Sequence, residues 1–145
     1  MTNEQIVLVQ ASFNAIGDQA EETAALFYGR LFEIDPELRP MFEGDLAEQG
    51  RKLMHMISLA VRGLSRLDEL APAVRSLGAR HAGYGVRDSH YETVGSALLW
   101  TLEKGLGPAF TDETREAWAA TYTLLAQAMK DGARAETTSG AALAA

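Results

Sequence analysis

Three histidines are the only nitrogen ligands in this sequence that could hold a transition metal, and there is no cysteine to offer a thiolate. Disulfides, thiolate zinc sites, iron–sulfur clusters and cysteine nucleophiles are therefore excluded. His55 shares a helical stripe with Arg51, Ser58 and Arg62, a polar face that reads as solvent-exposed. His90 follows Ser89 in the first turn of a helix and also reads as exposed. His81 is different. Leu70, Val74 and Leu77 precede it on one helix face, an apolar stripe that should turn inward. An imidazole at the end of such a stripe needs a partner, and two readings stay open: a core histidine bonded to a carbonyl, or a ligand.

The ligand reading can be narrowed. The sequence has no GxSxG elbow, no HExxH, no His pair at i, i+4 and no helical ExxH pair for zinc or di-iron. A single inward His with no other local ligand suits a cofactor that carries its own equatorial ligands, haem iron with one proximal imidazole.

The elements that must position His81 read as helix almost throughout. Thr2 with Gln5 forms a capping box before Ile6, Val9 and Phe13 at helical spacing. Ile16-Gly17-Asp18 interrupts, and a second segment carries Ala24, Leu26, Phe27, Tyr28, Leu31 and Phe32. Asp35-Pro36 starts a short helix ending near Phe42. Asp45 and Glu48 cap a long helix to about Leu64, and Asp68 begins the helix that ends near His81. Gly83 and Gly85 break the chain. Ser89 with Glu92 is expected to cap the next helix, which Gly105, Gly107 and Pro108 end. Thr111 caps a last one, containing Trp118, Tyr122, Leu125 and Met129. The expected fold is all-α, about seven helices with short connections and no internal repeat.

Composition limits the function. The 145 residues suit one domain, expected over 1–132, with a small, polar, disordered tail over 133–145. Thirteen basic against 20 acidic residues give a net charge of −7, which disfavours nucleic acid. No apolar stretch reaches the roughly 18 residues that span a bilayer. The start, MTNEQIVLVQ, lacks the features of a signal peptide, so a soluble cytoplasmic protein is expected.

The run LGARHAGYGVRDSHYETVGSALLWTLEKGLGPAFTDETREAW, residues 77–118, resembles the proximal and C-terminal half of a globin. LFYGRLFEIDPELRPMF, residues 26–42, resembles the second and third helices of the same family. The likeness extends over about residues 4–131 and is nearest to bacterial single-domain haemoglobins, flavohaemoglobin haem domains and neuroglobin. It implies a globin fold sandwiching one haem b (iron protoporphyrin IX), with His81 as the proximal ligand. Phe42 matches the aromatic stacked on the haem face. Gln49 falls where many globins place a distal His, Leu53 lies above the iron, and Tyr28 points into the distal pocket. Lys52 and Arg80 match positions that meet haem propionates, and Leu77, Val86, Tyr91, Val94 and Leu98 line the proximal side and haem edge.

These residues also make chemical sense together. Gln49, Leu53, Met56 and Ala60 form one stripe, apolar except for Gln49. A tyrosine hydroxyl and an amide meeting in an apolar cavity would hold a polarised diatomic ligand, a donor there being worth about 1–3 kcal/mol. Tyr28 as a plain core aromatic bonded to a carbonyl is the alternative. An amide is a poor iron ligand, so the sixth position is expected to hold water or nothing. In flavohaemoglobins a Tyr and a Glu tune the proximal His; Tyr91 matches the Tyr, but Ala133 falls at the carboxylate position, with Asp131 and Glu136 nearby. Tyr91 is then expected to bond a propionate or a backbone carbonyl, and binding is favoured over bond cleavage.

The expected function is reversible oxygen binding at a five-coordinate ferrous iron, with nitric oxide and carbon monoxide as further ligands. The alternatives are a nitric oxide dioxygenase using an external reductase, since no GxGxxG is present, or a gas or sulfide sensor. A cofactor-free helical protein is the remaining possibility. A monomer or homodimer is expected, as in related bacterial globins.

Overall fold

Local capping decides where most helices begin. The computed structural model describes the backbone of residues 1–42 and 44–144, and side chains as far as Ala135, Glu43 excepted. Thr2 Oγ1 accepts from Gln5 N at 3.1 Å and Gln5 Oε1 accepts from Thr2 N at 3.0 Å, opening α1 (Asn3–Ile16). α2 is Ala20–Ile34. Asp35 Oδ1 then accepts from Glu37 N at 3.2 Å, but Pro36–Met41 is a 3-10 helix rather than an α-helix. Pro40 has no N–H for an α-type bond, and six residues are too few to recover that loss. Asp45 accepts from Ala47 N at 2.9 Å at the start of α3 (Leu46–Arg62). α4 is Leu67–Gly83, α5 Asp88–Leu106 and α6 Asp112–Ala144, the last capped by Thr111 Oγ1 on Thr114 N at 3.2 Å.

Six α-helices and the Pro36–Met41 turn thus make up the expected seven, and no strand occurs among the described residues. No helix there is long and apolar enough to cross a membrane. The expected boundary at 132 falls within α6, and most of the expected tail lies outside the residues whose side chains are described.

The start of α5 departs from expectation. Ser89 and Glu92 form no capping box. Arg87 is extended, and its N–H donates to His90 Nδ1 at 3.0 Å, so His90 is a half-buried cap and not a solvated residue. An imidazole at the third helical position can accept as a glutamine does in a capping box.

Two apolar clusters hold the helices. Val9, Ile16, Val61, Leu64, Leu102 and Trp118 join α1, α3, α5 and α6. Trp118 is 2% exposed and donates from Nε1 to Ser12 Oγ at 2.8 Å, which satisfies its one polar atom. Phe27, Tyr28, Leu31, Leu38 and Ala97 form the second cluster, joined by Phe42, Leu53, Val94 and Leu98. α2 and α3 approach closely at Gly50, where a Cβ would come within 2.8 Å of the Ala24 methyl.

α4 stands apart from this second cluster. It packs along α6 and shares no substantial face with α2, α3 or α5 among the described residues. Its fully buried residue is Gly78, directed at α6, whereas Leu70, Val74, Leu77 and His81 are only half-buried. The stripe expected to enter a closed core thus stays only partly covered.

Trp118→Ala should cost about 3–5 kcal/mol in urea unfolding, and Trp118→Phe clearly less, because the phenyl ring keeps most of the packing.

Candidate haem site

His81 lies in the last turn of α4, and its Nδ1 is 2.8 Å from the Leu77 carbonyl. A carbonyl only accepts, so the proton of the neutral ring sits on Nδ1 and Nε2 keeps its lone pair. Nε2 has no protein partner among the described residues. The helix closes immediately after: Tyr84 N and Val86 N donate to the His81 carbonyl at 3.0 and 3.1 Å. Gly85, at φ +91, makes the turn that a side chain would strain. The Tyr84 ring, 70% exposed, lies 6.0 Å from the imidazole.

The opposite wall is aromatic. Phe42 meets Tyr28 edge-on at 5.4 Å and Phe32 edge-on at 5.5 Å. Tyr28 is 5% exposed, and its hydroxyl donates to the backbone carbonyl of Gln49 at 3.4 Å, not to the side-chain amide. That is the long end of hydrogen-bond range. The Gln49 amide is half-buried and makes no hydrogen bond among the described residues. Burial pushes the Tyr28 hydroxyl up to about 12. The hydroxyl therefore stays protonated, and able to donate, throughout the neutral range.

Tyr28, Phe42, Leu53, Val94 and Leu98 come together in one cluster. Leu77 and Val86 flank His81, the first through its carbonyl and the second through its N–H. Lys52 and Arg80 are exposed, Lys52 lying 3.9 Å from Glu48. Met56, on the Gln49 stripe of α3, is 40% exposed.

Tyr91 is buried, but its hydroxyl bonds neither His81 nor a carbonyl among the described residues. Its own backbone carbonyl accepts from Tyr122 Oη at 2.6 Å, and Lys130 Nζ sits 5.5 Å from its ring. Burial, then the Asp88 carboxylate, raise its pKa. Asp131, near the expected carboxylate position, is taken by Gln127 and Arg134. Glu136 lies outside the residues whose side chains are described.

Phe32 was not among the expected site residues, although its place one helical turn after Tyr28 was a usable signal. The carbonyl offered to His81 in one of the two sequence readings is that of Leu77, at i−4 on the same helix.

No group of three or more His, Asp or Glu among the described residues could hold a bare metal ion. One oriented imidazole with a free lone pair, together with an aromatic and aliphatic cluster around Tyr28, Phe42 and Leu53, fits haem instead. The class so defined is a helical haem protein. The globin family model matches residues 25–129, and the chain belongs to the globin family.

The chain is 32% identical to a neuroglobin from Danio rerio over 139 residues, covering 86% of this chain and 87% of that protein. Its fold matches a bacterial globin from Campylobacter jejuni with TM-score 0.82 and 27% identity, over 92% of this chain and 96% of that one. It also matches an engineered carbene transferase, a candidate nitric oxide dioxygenase from Rhodothermus marinus. That match has TM-score 0.84 and 29% identity, over 100% of this chain and 99% of the other.

Burial of Tyr28 carries a pH dependence. The folded hydroxyl binds its proton up to about pH 12, against 10.0 ordinarily, so the unfolded chain ionises first as pH rises. Its contribution is complete below pH 10 and is lost as pH climbs toward 12. Urea midpoints should therefore fall over that interval, and fall less steeply in Tyr28→Phe.

Proposed function

We propose that this globin binds oxygen reversibly, with nitric oxide and carbon monoxide as competing ligands, at a haem b held by His81. The observation that carries the reading is the His81 Nδ1 bond to the Leu77 carbonyl, which leaves Nε2 as the one oriented metal-binding nitrogen. Haem supplies the iron at which a diatomic gas is held. The chain supplies the rest. Phe42 and Leu53 offer apolar surface to the macrocycle, with Leu77, Val86, Tyr91, Val94 and Leu98 along the proximal side and edge. Lys52 and Arg80 are exposed and long enough to reach haem propionates.

Tyr28 and Gln49 are the distal donors. The Tyr28 hydroxyl leaves its Gln49 carbonyl at small cost, because a 3.4 Å bond is weak. The unpaired Gln49 amide reaches into the same space. Neither is a good iron ligand at neutral pH, which supports a five-coordinate ferrous state.

A second reading is favoured by the Rhodothermus marinus neighbour: nitric oxide dioxygenase, in which nitric oxide, dioxygen and one electron give nitrate. The electron would come from an external reductase. The reading carries cytoplasmic residence of a monomer or homodimer, with 1–132 as the globin domain.

Absorption spectra test the haem reading directly. The wild type should show a strong Soret band and become five-coordinate on reduction, and His81→Ala should lose the haem or hold it loosely. A reduced spectrum that is already six-coordinate would refute the open distal site. Tyr28→Phe should raise the oxygen dissociation rate about tenfold, one step of about 1.4 kcal/mol, and Gln49→Leu should do less. Sustained nitrate production with a reductase would favour the dioxygenase, and a single stoichiometric reaction would favour storage or transport.

A further inference from the structure

α4, which carries His81, meets α6 backbone to backbone at two glycines. A Cβ built on Gly78 would collide with the Met129 carbonyl group of α6. A Cβ on Gly132 of α6 would collide in turn with the Arg75 carbonyl group of α4. Gly78 and Arg75 are one turn apart on one helix, Met129 and Gly132 one turn apart on the other. The two contacts are reciprocal, and both meet backbone, which cannot swing aside as a side-chain tip can. Gly83, on the same helix, has nothing within 4 Å of a built Cβ.

α4 shares no substantial face with α2, α3 or α5 among the described residues, so its seat on α6 largely decides where it stands. His81 lies three residues beyond Gly78, and its ring is tied to the same helix through Leu77. The position of the imidazole is thus inherited from the helix crossing.

We infer that Gly78 and Gly132 are positioning residues: their missing side chains seat α4 on α6 and so set where the His81 imidazole meets the haem iron. This rests on the haem reading above. A methyl group at either position pushes α4 off α6 and changes the iron–imidazole bond, although neither residue touches the haem. Overpacking against backbone is not relieved by rotamer change.

The test compares Gly78→Ala, Gly132→Ala and Gly83→Ala with the wild type, each loaded with haem and judged folded by circular dichroism. Gly132→Ala lies on the helix without the ligand, which keeps the test open should Gly78→Ala fold poorly. The readouts are the iron–imidazole stretching frequency of the reduced protein by resonance Raman, and the rate of haemin transfer to excess apomyoglobin. Gly78→Ala and Gly132→Ala should shift the frequency in the same direction and release haemin about tenfold faster, while Gly83→Ala stays at the wild-type values.

The same changes are then made in His81→Gly protein with imidazole supplied from solution. There the ligand is no longer attached to α4, and the added methyl groups should leave the frequency at that of the His81→Gly parent. Folded Gly78→Ala and Gly132→Ala proteins with wild-type frequencies would overturn the inference, as would shifts that persist with detached imidazole. A wild type that takes up no haem would instead overturn the haem reading, and this inference with it.

Discussion

The hydrogen bond between His81 Nδ1 and the Leu77 carbonyl is the constraint on which the rest of the site depends. It fixes which nitrogen carries the proton, holds the ring against rotation, and spends the only donor on a group that cannot compete for a metal. Because the partner is four residues back on the same helix, the ring direction is locked to the helix direction. The placement of α4 then becomes the placement of the ligand. This explains why an otherwise half-buried helix, with little grip on three of its neighbours, is seated so closely on the fourth.

The distal wall follows a different logic. Tyr28, Phe32 and Phe42 support one another through edge and stacked contacts, and this places a hydroxyl in a region that strongly disfavours its ionised form. A neutral phenol in an apolar wall is a donor in search of an acceptor, and the nearest protein acceptor, the Gln49 carbonyl, is reached only at 3.4 Å. A wall built this way offers hydrogen bonds to a small polar guest without offering a strong sixth ligand. In the function proposed above the two parts would divide the work: one would supply a lone pair at a set position, the other donors that remain adjustable.

Much of this was legible in the chain itself. The helices, their caps at Thr2, Asp45 and Thr111, and the apolar stripe ending in His81 depend on residues within about four positions of each other, and such contacts are encoded by spacing. Absence of cysteine and isolation of the histidines narrowed the metal chemistry without any structure. The membership of the globin family was likewise carried by ordered runs of residues, 26–42 and 77–118.

What tertiary structure decided are the relations between segments far apart in sequence. His90 became a cap because Arg87 is extended ahead of it, and the Leu70–His81 stripe stayed half-buried because α4 turns a glycine toward α6. The Tyr28 hydroxyl met a carbonyl 21 residues away, where the sequence favoured a place beside the Gln49 amide and kept a carbonyl partner as the alternative. Gly78 and Gly132 carried no signal in the sequence, and only the helix crossing shows the facing backbones that leave no room for a side chain at either. Helical periodicity states which residues share a face, but how near another helix comes to that face is set by packing between distant segments.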